Sequence, residues 1–188
     1  LAVDGIRVDT RARSRSGKTG DWLLDPSDIN VVAGSSGNGL QDAEDFSNVF
    51  PDASNNLDAS LISGATSNVR LQASNNVTFM SDVNNLNAGV GLSVEAGNRI
   101  SVNALIKTSN GSLVLTAPEI AFGAAGKADV GGANISLLSN AIGGSIALNG
   151  TGGQLTGSGV AGQQFQLQAD NMDLRGGIDA GGVTGAAK

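Results

Sequence analysis

Short apolar-polar-apolar triplets recur along this chain at a nearly fixed interval, and the recurrence constrains the fold more than any single residue does. The triplets begin at Val69, Leu92, Leu113, Ile135 and Phe165, with spacings of 23, 21, 22 and 30 residues. Beyond a polar, Gly, Asn or Pro break, each is followed by a second apolar position: Val77, Ile100, Ile120, Ile142 and Met172. A copy therefore reads as strand, corner, strand and a looser connection. Strands this short, apolar on one face only, cannot bury that face alone and become stable by stacking on equivalent neighbours. Alternation of period two dominates, as in Ser112-Leu113-Val114-Leu115-Thr116, and no copy holds the long 3.6-residue periodicity that a helical repeat needs. The expected fold is an all-β parallel β-helix, a solenoid with one coil per repeat of 21–23 residues. Its coils should lie about 4.8 Å apart, the ordinary separation of paired strands.

The amino-acid inventory suits a slim stack better than a globular enzyme. The chain has 28 glycines among 188 residues, three prolines, 3% aromatic residues and neither histidine nor tyrosine. Glycine and asparagine supply the positive φ angles that tight corners require, and small side chains fit a narrow interior. A net charge of −6 argues against an extended nucleic-acid-binding face. Absence of cysteine removes disulfides, thiol chemistry and thiolate metal sites. Absence of histidine removes the commonest general base and every imidazole-dependent triad. No run of 18 or more apolar residues occurs, so no segment reads as a membrane-spanning helix.

Four regions follow from the pattern. Residues 1–32 read as N-terminal coils, 33–58 as an irregular acidic excursion, 59–175 as regular coils, and 176–188 as a frayed tail or the start of a further coil. Within the first, Trp22-Leu23-Leu24 and Ile29-Asn30-Val31-Val32 are strands broken by a turn at Asp25 and Pro26, where proline fixes its own φ and disfavours helix before it. Trp22, the only tryptophan, is expected to plug an end or corner of the core. Glycine-rich stretches at 123–132 and 151–162 are the weak places, and the second is taken to supply the insertion behind the spacing of 30.

Two charged clusters are candidate contact surfaces. Arg7, Arg11, Arg13 and Arg15 form a basic patch, which lacks interleaved aromatic residues for stacking on bases and is read as a solvated face. Asp42, Glu44 and Asp45 belong to the acidic excursion, whose spacing matches no recognised calcium loop. No metal site, cofactor site or catalytic residue is assigned. A polysaccharide-cleaving site would need carboxylates clustered on one face, whereas Asp82, Glu95, Glu119 and Asp129 do not recur at one register. Asn76, Asn98, Asn134 and Asn171 fall beside corners, where amide side chains of successive coils can hydrogen-bond along the axis.

Several runs resemble a known family. Val8-Asp9-Thr10-Arg11, followed by Gly17-Lys18-Thr19-Gly20-Asp21-Trp22-Leu23-Leu24-Asp25-Pro26-Ser27-Asp28-Ile29, is similar to a passage of large filamentous-haemagglutinin-like exoproteins. Asn68-Val69-Arg70-Leu71-Gln72-Ala73 with Asn76-Val77-Thr78-Phe79 resembles their coils, as does 91–104. The resemblance implies a right-handed β-helical shaft, secreted through an outer-membrane transporter by the two-partner route. It implies roles in adhesion, aggregation, haem acquisition or contact-dependent competition. The family's secretion domain carries Asn-Pro-Asn motifs, and no such tripeptide occurs here. The expectation is therefore an internal shaft segment.

The functional expectation is a non-catalytic segment of a secreted bacterial surface adhesin, with a surface receptor or glycan on a host or neighbouring cell as partner. One rival is a carbohydrate-active β-helix enzyme, favoured by three or more carboxylates lining one groove. The other is a self-assembling filament subunit that associates end to end through unpaired strand edges.

Overall fold

The computed structural model describes residues 21–24, 27–34, 54–85, 87–151, 154–179 and 181. The chain winds as a parallel β-solenoid of about five turns. Its three sheets run along the axis, and every strand pairing is parallel. The first sheet holds β1 (Asp21–Leu24), β4 (Asn68–Ala73), β7 (Leu92–Ala96), β10 (Leu113–Ala117), β13 (Ile135–Ser139) and β16 (Phe165–Gln168), in that spatial order. The second runs β3 (Ser54–Asp58), β2 (Asp28–Val32), β5 (Asn76–Phe79), β8 (Arg99–Val102), β11 (Glu119–Phe122), β14 (Ser145–Leu148) and β17 (Asn171–Asp173). The third runs β6 (Val83–Asn85), β9 (Leu105–Thr108), β12 (Lys127–Asp129), β15 (Leu155–Thr156) and β18 (Ile178–Asp179).

Register follows the triplets. Val69 pairs with Leu92, Leu92 with Leu113, Leu113 with Ile135 and Ile135 with Phe165, so the first inward position forms one continuous column. Val77, Ile100 and Ile120 form the matching column of the second sheet, and Val83, Ile106, Ala128 and Leu155 that of the third. All of these positions but Phe165 are buried. Fully burying one Val, Leu, Ile or Phe side chain contributes about 1.5–3 kcal/mol. A one-residue slip would turn a whole strand's apolar set to solvent, so the columns also fix the register.

The looser connection expected in each repeat contains the third strand. It escapes the hydropathy pattern because it is only two to four residues long and carries one or two inward side chains per coil. Both glycine-rich stretches contribute such a strand, β12 and β15.

Ile142 corrects the sequence reading: it is fully exposed, and Ile146 occupies the inward column opposite Ile120. Residues 140–143 are four extra residues in the corner that Pro118 alone makes one coil earlier. Gly143 turns that corner at φ 75°, a conformation that L side chains rarely adopt. Half of the eight-residue insertion therefore sits at 140–143, and only the remainder in the 151–162 stretch.

The excursion expected over 33–58 ends in order. Ser54–Asp58 forms β3 and pairs with the outer edge of β2. The chain then makes one short helix, α1 (Ala59–Ser63), where regular coils were expected to begin. Asp58 caps it by accepting from the Ser60 amide at 2.8 Å. Ser63 Oγ accepts from the Asn84 amide of β6 at 2.9 Å, so the helix covers the N-terminal edge of the third sheet. In the last described coil Met172 is 46% and Ile178 42% exposed at inward-column positions.

Candidate functional site

All seven expected contact residues, Arg7, Arg11, Arg13, Arg15, Asp42, Glu44 and Asp45, lie outside the described residues, as do Asp25 and Pro26. Trp22 lies on β1, its Cα in register with Val69.

The four asparagines all bond to a neighbouring coil. Asn98 Nδ2 donates to Asn76 Oδ1 at 2.9 Å, and Asn76 Nδ2 donates in turn to Asp28 Oδ1 at 3.0 Å, a ladder through three coils. Asn134 sits at a different corner, before the first sheet, and its Oδ1 accepts from the Gln164 amide at 2.8 Å. Asn171 Nδ2 donates to the Gly143 carbonyl at 3.1 Å. Only the Asn76–Asn98 contact joins two side-chain amides among these four.

Carboxylates are engaged one by one and lie on different faces. Glu95 pairs with Arg70 at 3.1 Å on the first sheet, Glu119 with Arg99 at 3.3 Å on the second and Asp129 with Lys107 at 3.3 Å on the third. Asp82 accepts from the Leu105 amide at 2.9 Å. Each ion pair joins successive coils and is exposed, so each contributes at most about 1 kcal/mol and acts mainly on register. Among the described residues, no group of three or more His, Cys, Asp or Glu is placed to hold a metal ion. Glu95, Glu119 and Asp129, one on each sheet, therefore do not share a groove.

Two corner glutamines that hydropathy does not single out, one buried and one half-buried, tie successive coils together. Gln154 is 0% exposed, and its Nε2 donates to the Gly123 and Gly126 carbonyls, each at 2.7 Å, in the preceding coil. Its Oε1 accepts from the Gly150 amide at 2.8 Å. Gln163 repeats the device at the next corner: Nε2 donates to the Gly131 and Ala133 carbonyls at 2.8 and 2.6 Å, and Oε1 accepts from the Gly159 amide at 3.0 Å. Each side chain satisfies backbone groups that corner geometry removes from the ladders. The signal is present in the sequence: Gly150-Thr151-Gly152-Gly153-Gln154 and Gly159-Val160-Ala161-Gly162-Gln163 share the pattern Gly-x-x-Gly-Gln.

The outer face of the first sheet carries a shallow groove of about 360 Å³ beside the corner that precedes it. Asn68, Gly91 and Ser112 are successive corner residues along its edge, and Arg70, Ser93 and Val114 are the neighbouring outward column. No family model matches the chain, and neither a curated protein nor a solved structure matches it. The fold defines the class, a parallel β-solenoid whose inward columns are apolar.

Proposed function

We propose that this chain is a non-catalytic segment of a secreted bacterial surface adhesin, in which the stack provides length and rigidity. The observation that carries the reading is the continuous register of three inward columns through successive coils, the property a spacer needs. The dispersal of Glu95, Glu119 and Asp129 over three sheets, each tied to a cation, weighs against a glycosidase-type groove. In this reading the full-length protein leaves the cell through an outer-membrane transporter, and a receptor or glycan on another cell is its partner.

The test is display of the chain on a non-adherent bacterium, with adhesion to host cells and cell aggregation measured. A variant lacking one whole coil away from the groove of the first sheet, residues 135–164, is displayed beside it. Both should promote adhesion or aggregation, because a shaft loses only about 4.8 Å per coil. Surface display without either effect would remove the proposal, as would polysaccharide cleavage abolished by Glu95→Gln or Glu119→Gln.

A second reading, a subunit that self-associates, draws support from the apolar side chains Met172, Leu174 and Ile178, which are exposed in the last described coil. Light scattering should then show mass rising with concentration, and Met172→Asp should suppress the rise. A monomer at all concentrations would dismiss that reading.

A further inference from the structure

We infer that the groove on the first sheet is a binding site for a neutral, hydroxyl-rich ligand, of which a hexopyranose unit of a glycan is the chemical type. The inference deepens the adhesion reading and rests on it for biological context, but the site is argued from its own geometry.

The notch arises where one side chain is missing from a corner column. Gly91 stands between Asn68 and Ser112 of the adjoining coils, each about 4.8 Å away along the axis. A Cβ added at Gly91 would come to 3.0 Å from the Ser112 carbonyl oxygen and 3.6 Å from Asn68 Oδ1, so the adjoining coil packs closely against this glycine and no side chain rises over the groove edge there. Gly89 adds to the opening, since a Cβ there would meet nothing within 4 Å. In the outward column the central position is also small, Ser93, between Arg70 and Val114. At about 360 Å³ the groove is shallow and open to solvent, so a ligand would lie along the sheet rather than be enclosed.

The lining mixes donors and acceptors. Asn68 Oδ1 accepts from the Gly91 amide at 2.9 Å, which fixes the side-chain amide at the edge and turns its NH₂ group away from that bond. Arg70 Nη2 donates to Glu95 Oε2 at 3.1 Å, a contact that positions the guanidinium while other N–H groups can still donate. Ser93 and Ser112 hydroxyls can donate or accept, and Val114 offers an aliphatic surface for the C–H face of a ring. Arg70 and Glu95 cancel in charge, and the whole chain carries −6, so an anionic ligand gains no long-range attraction. A polyol uses both hydrogen-bonding senses and needs no charge.

The experiment is amide NMR on the full chain, titrated with a panel of methyl hexopyranosides and N-acetylhexosaminides at millimolar concentration, alongside Ser93→Leu and Gly91→Leu. Shifts should concentrate at Gly91, Ser93 and Ser112, saturate for at least one neutral sugar, and persist at high salt. Ser93→Leu changes only an outward side chain, so it should weaken binding about tenfold with unchanged thermal unfolding; this keeps the test decisive where Gly91→Leu distorts the coil. No saturable shift with any neutral sugar, or equal binding by wild type and Ser93→Leu, would overturn the site. Cell adhesion equal in wild type and Ser93→Leu would remove the groove while leaving the shaft reading standing.

Discussion

Replacing Gln154 by alanine should destabilise the solenoid more than any surface change, and the size of the loss follows from its three hydrogen bonds. The side chain is 0% exposed, and it joins the Gly150 amide to the Gly123 and Gly126 carbonyls of the previous coil. Without it, the Gly150 N–H and the Gly126 C=O lose these contacts in a closed corner, at about 1–3 kcal/mol each. The Gly123 carbonyl still accepts from the Gly126 amide at 3.0 Å, so its loss counts for less. The total is about 2–6 kcal/mol. Gln154→Glu should cost at least as much, since an anion would face two carbonyl oxygens in a buried site. Gln163 makes the same contacts but is only half-buried, so water can replace part of them and Gln163→Ala should cost about 1–2 kcal/mol. Urea unfolding followed by circular dichroism gives the differences, and hydrogen exchange at Gly150 reports the corner itself. A Gln154→Ala loss below about 0.5 kcal/mol, or a loss no larger than that of Gln163→Ala, would refute the role given to this glutamine.

Three further outcomes follow from the same coordinates. Ile142→Asp should leave stability within about 0.5 kcal/mol, whereas Ile146→Ala should cost about 2–5 kcal/mol; the reverse order in urea melts would contradict the register at this corner. Gly111→Ala should destabilise by about 1–3 kcal/mol or more, because the added Cβ would fall 1.8 Å from the Val90 carbonyl oxygen and only backbone movement can relieve it; a thermal melt matching wild type would deny that close approach. Arg99→Ala should change stability by less than about 1 kcal/mol, since its pair with Glu119 is exposed; a larger shift would show the pair to be more than a register contact.

The first two strands of each coil were legible because their apolar residues alternate and recur, so that Val69, Leu92, Leu113, Ile135 and Phe165 could be aligned by counting. The third strand was not, because a segment such as Lys127-Ala128-Asp129 turns one small side chain inward and leaves no periodicity to detect. Ile142 misled the count because an apolar residue at the right spacing sat on an inserted turn, and only pairing reveals that Gly143 and Gly144 return the chain to register. The α1 helix, five residues long, is too short for a 3.6-residue pattern, although Asp58 two residues before Ser60 is a capping signal. Gln154 and Gln163 were hidden because hydropathy places glutamine outside, whereas a corner rewards a side chain that can both donate and accept. The groove depends on Gly91 lying between Asn68 and Ser112, a juxtaposition that follows only once the register is known.

The central claim, that coils stack one strand spacing at a time along a single axis, is tested most directly by distances between spin labels. The chain contains no cysteine, so labels can be placed at will. Asn30, Thr78, Ser101, Ala121, Ala147 and Asp173 form one outward column of the second sheet. Labels at Asn30→Cys and Asp173→Cys should lie about 24 Å apart, and moving the first to Thr78→Cys should shorten the distance by about 4.8 Å. A pair of distances that does not step by one strand spacing, or a broad distribution from labels on this column, would contradict the stack.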